Sequence, residues 1–365
     1  MAQLIEIDGS TLEGGGQIIR TALALSSLTK IPVKVTNIRK GREKPGLKNQ
    51  HLYAIRALKQ ICDAKVDGDF LGSTELLYIP QSLKGGKIEI DIQTAGSITL
   101  VLQAILMPLM FADKNSTITI SGGTDTAWSQ PIDFLKEVLL PQLRKYCSSV
   151  EIKLLKRGYY PKGQGKVIVE VKPKYHLKDF ASFEEMQKKI EAEVQKINLT
   201  EQGGLAIVKG VSHSSADLEK AKVAERQAES AKQVLKPLNV PVDIRIEYNQ
   251  TQSTGSGIVL WAVLTRNNDV DPFNPIILGA DVLGEKGVSA EKVGEDAAKK
   301  LIQEIESNAQ VDSHLADNLV PWLVFGGKFK TSKLTLHTKT NVWVVNNFFK
   351  DKLEINEKEN LVSAH

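Results

Sequence analysis

The chain has 365 residues, of which 42% are hydrophobic and 25% charged, with a net charge of +4. These values exclude disordered, collagenous and coiled-coil classes and leave room for two domains of about 150 residues each. The charge is too small for indiscriminate binding to nucleic acid, and two cysteines, Cys62 and Cys147, are too few for a disulfide framework and lack metal-ligand spacing, so they read as core thiols.

In chain order, the opening MAQLIEIDGS carries acids early and no basic stretch ahead of an apolar one, so no secretory signal is expected. Glu13-Gly14-Gly15-Gly16-Gln17 follows, three glycines ahead of an apolar helix from Gly16 to Leu28. Such a turn lets backbone N–H groups approach an anion closely. Glu13 beside a phosphate site needs a divalent cation between them, so a hard-metal ligand is its natural role. Arg20 lies one helical turn further on. A strand over Val33–Ile38 leads to the decapeptide Arg39–Lys48, which holds Arg39, Lys40, Arg42, Lys44 and Lys48 against the single acid Glu43. A cationic loop of that density suits phosphate, and guanidinium groups bind it through paired hydrogen bonds. Gln50 and His51 open the next helix, expected over Leu47–Cys62.

A strand over Lys87–Gln93 precedes the most apolar run, Ile98 to Ala112, which is short of the roughly 20 residues needed to span a bilayer and reads as a buried helix over Ser97–Ala112. A strand over Thr117–Ile120, a helix over Pro131–Cys147 and a strand over Lys166–Lys172 follow. Residues 183–197 form a charged amphipathic helix. Beyond it lie a strand (Leu205–Val211), a polar helix (Ala216–Leu235), three strands (Val242–Tyr248, Gly257–Arg266, Pro275–Gly284) and a helix (Ala290–Glu306). That βαβββα block has roughly domain size. The tail returns to the earlier pattern, with a helix over His314–Phe325, a strand over Lys333–His337 and a helix over Asn341–Phe349. A small-residue entry, an apolar helix, a strand and a second helix thus recur three times, implying stacked α/β units. The fold class expected is α/β (α+β): a large domain of three repeated βαβαββ-like units over 1–184 and 309–365, interrupted by an inserted βαβββα domain at 185–308.

Two segments of the third unit carry chemistry. His314, Asp317 and Asn318 share a helix face suited to a purine or a ribose. In Leu334-Thr335-Leu336-His337 the alternation places His337 at a strand's carboxyl end, where α/β proteins hold ligands. A neutral imidazole there is a competent nucleophile, and Lys339 nearby disfavours its protonation. No P-loop, zinc pattern, nucleophile elbow or dinucleotide fingerprint occurs.

Taken together, EGGGQIIR at 13–20, IRKGREKPGLKNQH at 38–51, AGSITLVLQ at 95–103, SGGTD at 121–125, RGYYPKGQG at 157–165, HLADNLV at 314–320 and LTLHTKTNV at 334–342 resemble the RNA 3′-terminal phosphate cyclases over nearly the whole chain. The resemblance implies the three-unit large domain and an insert similar to the C-terminal half of a bacterial translation initiation factor. It implies an ATP-dependent, ligase-type nucleotidyl transferase. ATP adenylates a histidine at Nε2, AMP passes to the RNA 3′-phosphate to give RNA(3′)pp(5′)A, and the vicinal 2′-OH closes a 2′,3′-cyclic phosphate as AMP leaves. On this resemblance His337 is the nucleophile and Glu13 the ligand of Mg²⁺ or Mn²⁺. Gln103 with His314, Leu315, Ala316, Asp317 and Asn318 forms the nucleotide site. Arg20, Arg39, Arg42, Gln50 and His51 form the surface for the phosphate or RNA end. The family often has Tyr and Gln where this chain has His314 and Asn318, which puts a second histidine beside the nucleotide.

The partner expected is RNA with a 3′-phosphate, in the cytoplasm and away from membranes, with a homodimer left open. The alternative is a catalytically inactive cyclase-like scaffold in RNA processing, which the histidine of LTLHTKTN opposes. An enolpyruvyl transferase would share the repeats without needing the insert or the histidine. A simple RNA-binding module would explain the basic loop alone.

Overall fold

The computed structural model describes residues 4–266 and 268–365. Among these the strands form four sheets of four strands each. The first contains β1 (Ile5–Asp8), β2 (Val33–Thr36), β3 (Lys65–Asp67) and β4 (Leu76–Ile79) in the order β1-β2-β4-β3. β1 and β2 run parallel, joined through α1 (Gly16–Thr29), and β4 pairs antiparallel with both β2 and β3. α2 (Asn49–Cys62) lies between β2 and β3 in the chain.

The second sheet repeats this plan with β5 (Lys87–Asp91), β6 (Ser116–Gly122), β7 (Cys147–Lys156) and β8 (Gly165–Pro173) in the order β5-β6-β8-β7. α3 (Ile98–Met110) is its first crossover. The helix expected over Pro131–Cys147 is broken into α4 (Ile132–Phe134), a π turn (Leu135–Leu139), α5 (Leu140–Leu143) and a 3₁₀ turn (Arg144–Tyr146). Pro141 has no N–H to donate, and the wide turn ahead of it absorbs the misfit.

The third sheet begins with β9 (Ile197–Leu199), which follows α6 (Phe183–Glu193). The chain then builds a separate sheet from β10 (Gly204–Ser215), β11 (Val242–Asn249), β12 (Ser256–Thr265) and β13 (Ile276–Leu283), in the order β11-β10-β12-β13. α7 (Val223–Leu235) and α8 (Ala290–Glu306) complete the expected βαβββα series and pack on each other and on this sheet. After α9 (Ser313–Leu319) the chain returns through β14 (Gly327–Lys330), α10 (Leu336–Phe348), β15 (Leu353–Asn356) and β16 (Leu361–Ala364). β14 pairs parallel with β9 and antiparallel with β16, and β15 closes the far edge, so the strand order first-second-fourth-third appears a third time. Phe183 of α6 packs on Phe325 and Phe349, with ring centroids 6.0 and 5.5 Å apart. α6 and β9 therefore side with the third sheet, and the additional sheet enters between β9 and α9.

Two details differ from the sequence reading. Each unit opens on a strand, one element ahead of its glycine-flanked helix. The strand expected over Lys333–His337 does not form: the second strand of the third unit is β14, and residues from Leu336 onward are helical. Thr335 is the reason, because its hydroxyl accepts from Thr338 N–H at 2.9 Å and caps α10. His337 thus lies in the first turn of a helix.

α1 and α3 are buried on almost every side, as the all-round apolar sequence of α3 requires, and α1 packs against α2, α3 and α10 in the middle of the molecule. Cys62 and Cys147 are free and buried. The joint with the additional sheet is ionic. Arg157, fully buried, reaches Asp125 at 3.2 Å, Asp133 at 2.7 Å and Glu247 of β11 at 2.8 Å. His213 of β10 lies 3.2 Å from Asp125 and 2.8 Å from the Tyr159 hydroxyl. Asp125, Asp133 and His213 bring three potential metal-ligand atoms together. The Arg157 guanidinium already occupies both carboxylates and would repel a cation there. Among the described residues no helix is long and apolar enough to cross a membrane.

Candidate active site

A cleft of ≈ 790 Å³, counting its open mouth, lies where α1, α3, α9 and α10 meet. Its floor is apolar, with Leu100, Leu106, Met107, Leu139 and Trp322. Gln17, Arg20, Gln103, Gln130, Asp317 and His337 supply its polar groups. An apolar floor with a few convergent polar groups is the usual form of a small-molecule site.

His337 is held from the far end of the sequence. Gln17, 320 residues earlier, donates from Nε2 to the backbone carbonyl of His337 at 3.1 Å, and its Oε1 meets the Nδ1 of the same ring. The first bond fixes which way the amide points. Oε1 can therefore only accept, and Nδ1 must carry the proton. The lone pair is left on Nε2, and the side chain is 47% exposed. Partial burial, together with the positive charges of Arg20 and Arg42 and the nearby His314, holds His337 down at about 4, against the ordinary 6.5. The expected helper, Lys339, is instead engaged with Glu357 at 2.5 Å; burial and the two arginines do the work assigned to it.

Asp317 supports this ring indirectly. Its Oδ1 accepts from the hydroxyls of Thr335 and Thr338, each at 2.7 Å, and its backbone carbonyl accepts from Asn341 at 2.6 Å. It thereby ties α9 to the first turns of α10. Burial pushes its carboxyl up to about 6. Thr21 of α1 donates to Asn341 at 2.7 Å, closing a three-helix contact behind His337.

Glu13 lies in the loop ahead of α1. Its Oε2 is 3.9 Å from His337 Nδ1, while Oε1 pairs with Arg42. Oε2 is buried with no hydrogen-bond partner. An unpartnered, buried carboxylate oxygen beside His337 fits a hard cation, and Mg²⁺ is commonly held by one or two carboxylates plus phosphate oxygens. α1 begins without a side-chain cap. Its first N–H groups are thus available to an anion.

On the other side of His337, Arg20 donates to Gln103 Oε1 at 3.1 Å, and Gln103 donates to Asn318 at 2.9 Å and Gln130 at 3.3 Å. Burial lowers the Arg20 guanidinium to about 10, which leaves it charged at neutral pH. Gln130 also meets His314 Nδ1 at 3.2 Å, and the His314 ring stands edge-on to Phe134 at 6.2 Å. Burial, then Lys300, lowers His314 below its ordinary value. Asp312 caps α9, accepting from His314 N–H at 3.0 Å and Leu315 N–H at 2.8 Å.

Some expected site residues have other work. Leu315 and Ala316 are fully buried in the core and present no surface to the cleft. Arg39 is buried, and its Nη1 donates to the carbonyls of Lys44 at 2.8 Å and Gly46 at 2.9 Å. It shapes the basic loop and is not free for phosphate. His51 is buried too. Its Nδ1 accepts from Lys48 N–H at 3.0 Å, and burial followed by Arg20, Arg39 and Lys48 pushes it down to about 3. A Cβ at Gly16 would overlap His51 Nε2. His51 therefore sets the start of α1 as a neutral ring. Arg42 is exposed and lies at the reaction centre through Glu13, whereas Gln50 lines a neighbouring groove. Gln17, Gln130, Thr335, Thr338 and Asn341 received no role from the sequence. Gln17 carried one signal, as a buried polar residue at the head of an apolar helix. Trp128 at the cleft mouth is 98% exposed.

The family described as RNA 3′-terminal phosphate cyclase matches residues 11–355. The chain belongs to the RNA 3′-terminal phosphate cyclase family. It is 46% identical over 355 residues to a protein of that name from Pyrococcus furiosus, covering 96% of this chain and 95% of the relative. It is 44% identical over 363 residues to one from Methanosarcina mazei, covering 98% of both. One from Saccharolobus islandicus is 40% identical over 358 residues, covering 97% of both.

Proposed function

We propose that the protein converts an RNA 3′-terminal phosphate to a 2′,3′-cyclic phosphodiester at the expense of ATP; the relatives' name supports cyclisation of an RNA 3′-terminal phosphate. The observation that carries the reading is the Gln17 clamp, which presents His337 with a neutral ring and an unprotonated Nε2 at the cleft. Nε2 attacks the α-phosphorus of ATP, forming an N–P bond as pyrophosphate departs. An oxygen of the RNA 3′-phosphate then displaces Nε2, giving RNA(3′)pp(5′)A. Finally the 2′-OH attacks the activated phosphorus, loses its proton and expels AMP. A phosphomonoester oxygen is a poor leaving group, and attaching AMP supplies a good one. The 2′-OH is already adjacent, so ring closure gains an effective molarity on the order of 10⁵ M or more.

Gln103, His314, Asp317 and Asn318 hold the base and ribose over the apolar floor. Arg20 and Arg42 offset charge on the phosphates. Glu13 Oε2 is the protein ligand suited to Mg²⁺ or Mn²⁺, which would draw electron density from the phosphoryl oxygens. Gln50 contributes on the RNA side. The same reading takes RNA as the partner and the cytoplasm as the place of action.

Incubation with ATP labelled in the α-phosphate tests it. An acid-labile, alkali-stable protein–AMP adduct should map to the peptide containing His337, vanish in His337→Ala and persist in His314→Ala. A normal adduct in His337→Ala would overturn the assignment. No adduct in the wild type would leave the inactive scaffold as the better reading.

A further inference from the structure

A second groove lies along the basic loop. Lys44, Lys48, Gln50, Leu71, Thr94 and Gly96 are among its walls. Lys44 and Lys48 are exposed, and neither joins an ion pair among the described residues. The opposite rim is apolar: Leu71 and its neighbour Phe70 are each 63% exposed on a tight turn. The loop and the turn are locked together. Leu47 N–H donates to Ser73 at 2.9 Å and Gly72 N–H donates back to Leu47 at 2.9 Å. Gly46 has φ +78, and a Cβ there would collide with the carbonyl of Gly72. The Arg39 bonds to the Lys44 and Gly46 carbonyls fix the lysine-bearing wall from beneath.

We propose that this groove binds the nucleotides on the 5′ side of the RNA's terminal phosphate as a single strand, with its backbone along Lys44 and Lys48 and a base resting on the apolar rim. The inference rests on the cyclase reading and extends it from the reacting end to the body of the substrate. Three observations favour that occupant. Unpaired lysines facing exposed apolar side chains are the composition of single-strand channels, where charge tracks the phosphates and an apolar surface receives base faces. The basic loop links the groove to the site, since Arg42, paired with Glu13 beside His337, lies two residues before Lys44, and two residues span at most about 7 Å. The walls are also preformed, so binding orders little of the protein.

The experiment uses 3′-phosphorylated oligoribonucleotides from one to six residues long, with the wild type, the double variant Lys44→Glu, Lys48→Glu, and Leu71→Ser. It reads kcat/KM for cyclic-end formation, binding of a labelled hexamer, and protein–AMP formation without RNA. In the wild type, kcat/KM should rise at least tenfold from the mononucleotide to the trimer or tetramer. The lysine variant should lose that rise and bind the hexamer at least tenfold more weakly, with a shallower salt dependence. Its mononucleotide turnover and adduct formation should stay within about twofold of wild type. Leu71→Ser should weaken the hexamer without changing the salt slope. Indifference of the wild type to length, or equal loss on mononucleotide and hexamer, would overturn the proposal. So would unchanged hexamer binding in both variants. Failure of the cyclase reading looks different: the wild type converts no substrate of any length, while the binding arm still tests the groove.

Discussion

The clamp between Gln17 and His337 makes a quantitative claim about acid. With His337 held at about 4, only about 1% of the ring is protonated at pH 6, whereas an ordinary histidine at 6.5 is about three-quarters protonated. The rate of protein–AMP formation should therefore stay flat from pH 8 down to about 5.5 and fall only below that. Water on the exposed half of the ring moderates the shift, so an acid limb anywhere below about 5.5 fits. Gln17→Glu nearly preserves shape but places a carboxylate on Nδ1. An opposing charge at that range raises a histidine by about 1–3 units, which moves the limb to about 5–7 and removes much of the rate at pH 6. Gln17→Leu deletes both bonds. It should lower the rate by about 10² or more at every pH through loss of tautomer and position, without moving the limb. The assay is single-turnover adduct formation across pH 4.5–8. Asp317, pushed up to about 6, is the competing titration, but it faces the hydroxyls of Thr335 and Thr338. A wild-type limb near 6 that disappears in Asp317→Asn would refute the reasoning, as would a limb unmoved by Gln17→Glu.

Glu13→Gln should cut adduct formation at least tenfold and abolish its response to added Mg²⁺ or Mn²⁺, while Tm shifts little; wild-type adenylation insensitive to a chelator would remove the metal assignment. Gly16→Ala should destabilise the fold by about 1–3 kcal/mol through overlap with His51, read as a fall in the urea midpoint, and His51→Ala should recover part of the loss in the double variant. Arg157→Met should cost about 3–5 kcal/mol by leaving Asp125 and Asp133 buried without their partner. Burial alone would raise Asp125, but His213 and Arg157 hold it below the ordinary 3.8. Its stabilising contribution is therefore complete above that value and lost as pH falls below it. Wild-type urea midpoints should drop below about pH 4, and drop less in Arg157→Met.

Most elements were legible because apolar periodicity decides them. α3 read as an interior helix from its nearly all-round apolar run, and the βαβββα series appears in its expected order. The strand assigned to Lys333–His337 misreads an N-terminal cap. Leu334 and Leu336 alternate as strand residues do, but Thr335 three positions before Thr338 starts a helix, and Leu336 is exposed. β9 was invisible at three residues, with its partner strand β14 lying beyond the additional sheet. Arg39 could not be told from a phosphate ligand, because the carbonyls that satisfy it become neighbours only when the loop closes on itself. His337 and Glu13 stood out by type and motif. The amide that sets the histidine's tautomer did not, since a pairing 320 residues apart leaves no local pattern.

That separation also sets a time. The chain is made from its amino terminus, and its early units can begin to fold while synthesis continues. Two of the cleft's four helices exist once α3 is complete, with Gln17, Arg20 and Gln103 already in place. His337 arrives only with α10, near the carboxyl end. A nascent or truncated chain can thus offer an apolar, positively charged pocket that lacks its histidine. On the cyclase reading proposed above, ATP is consumed only once the last helix docks onto the first, so completion of the polypeptide and onset of chemistry coincide.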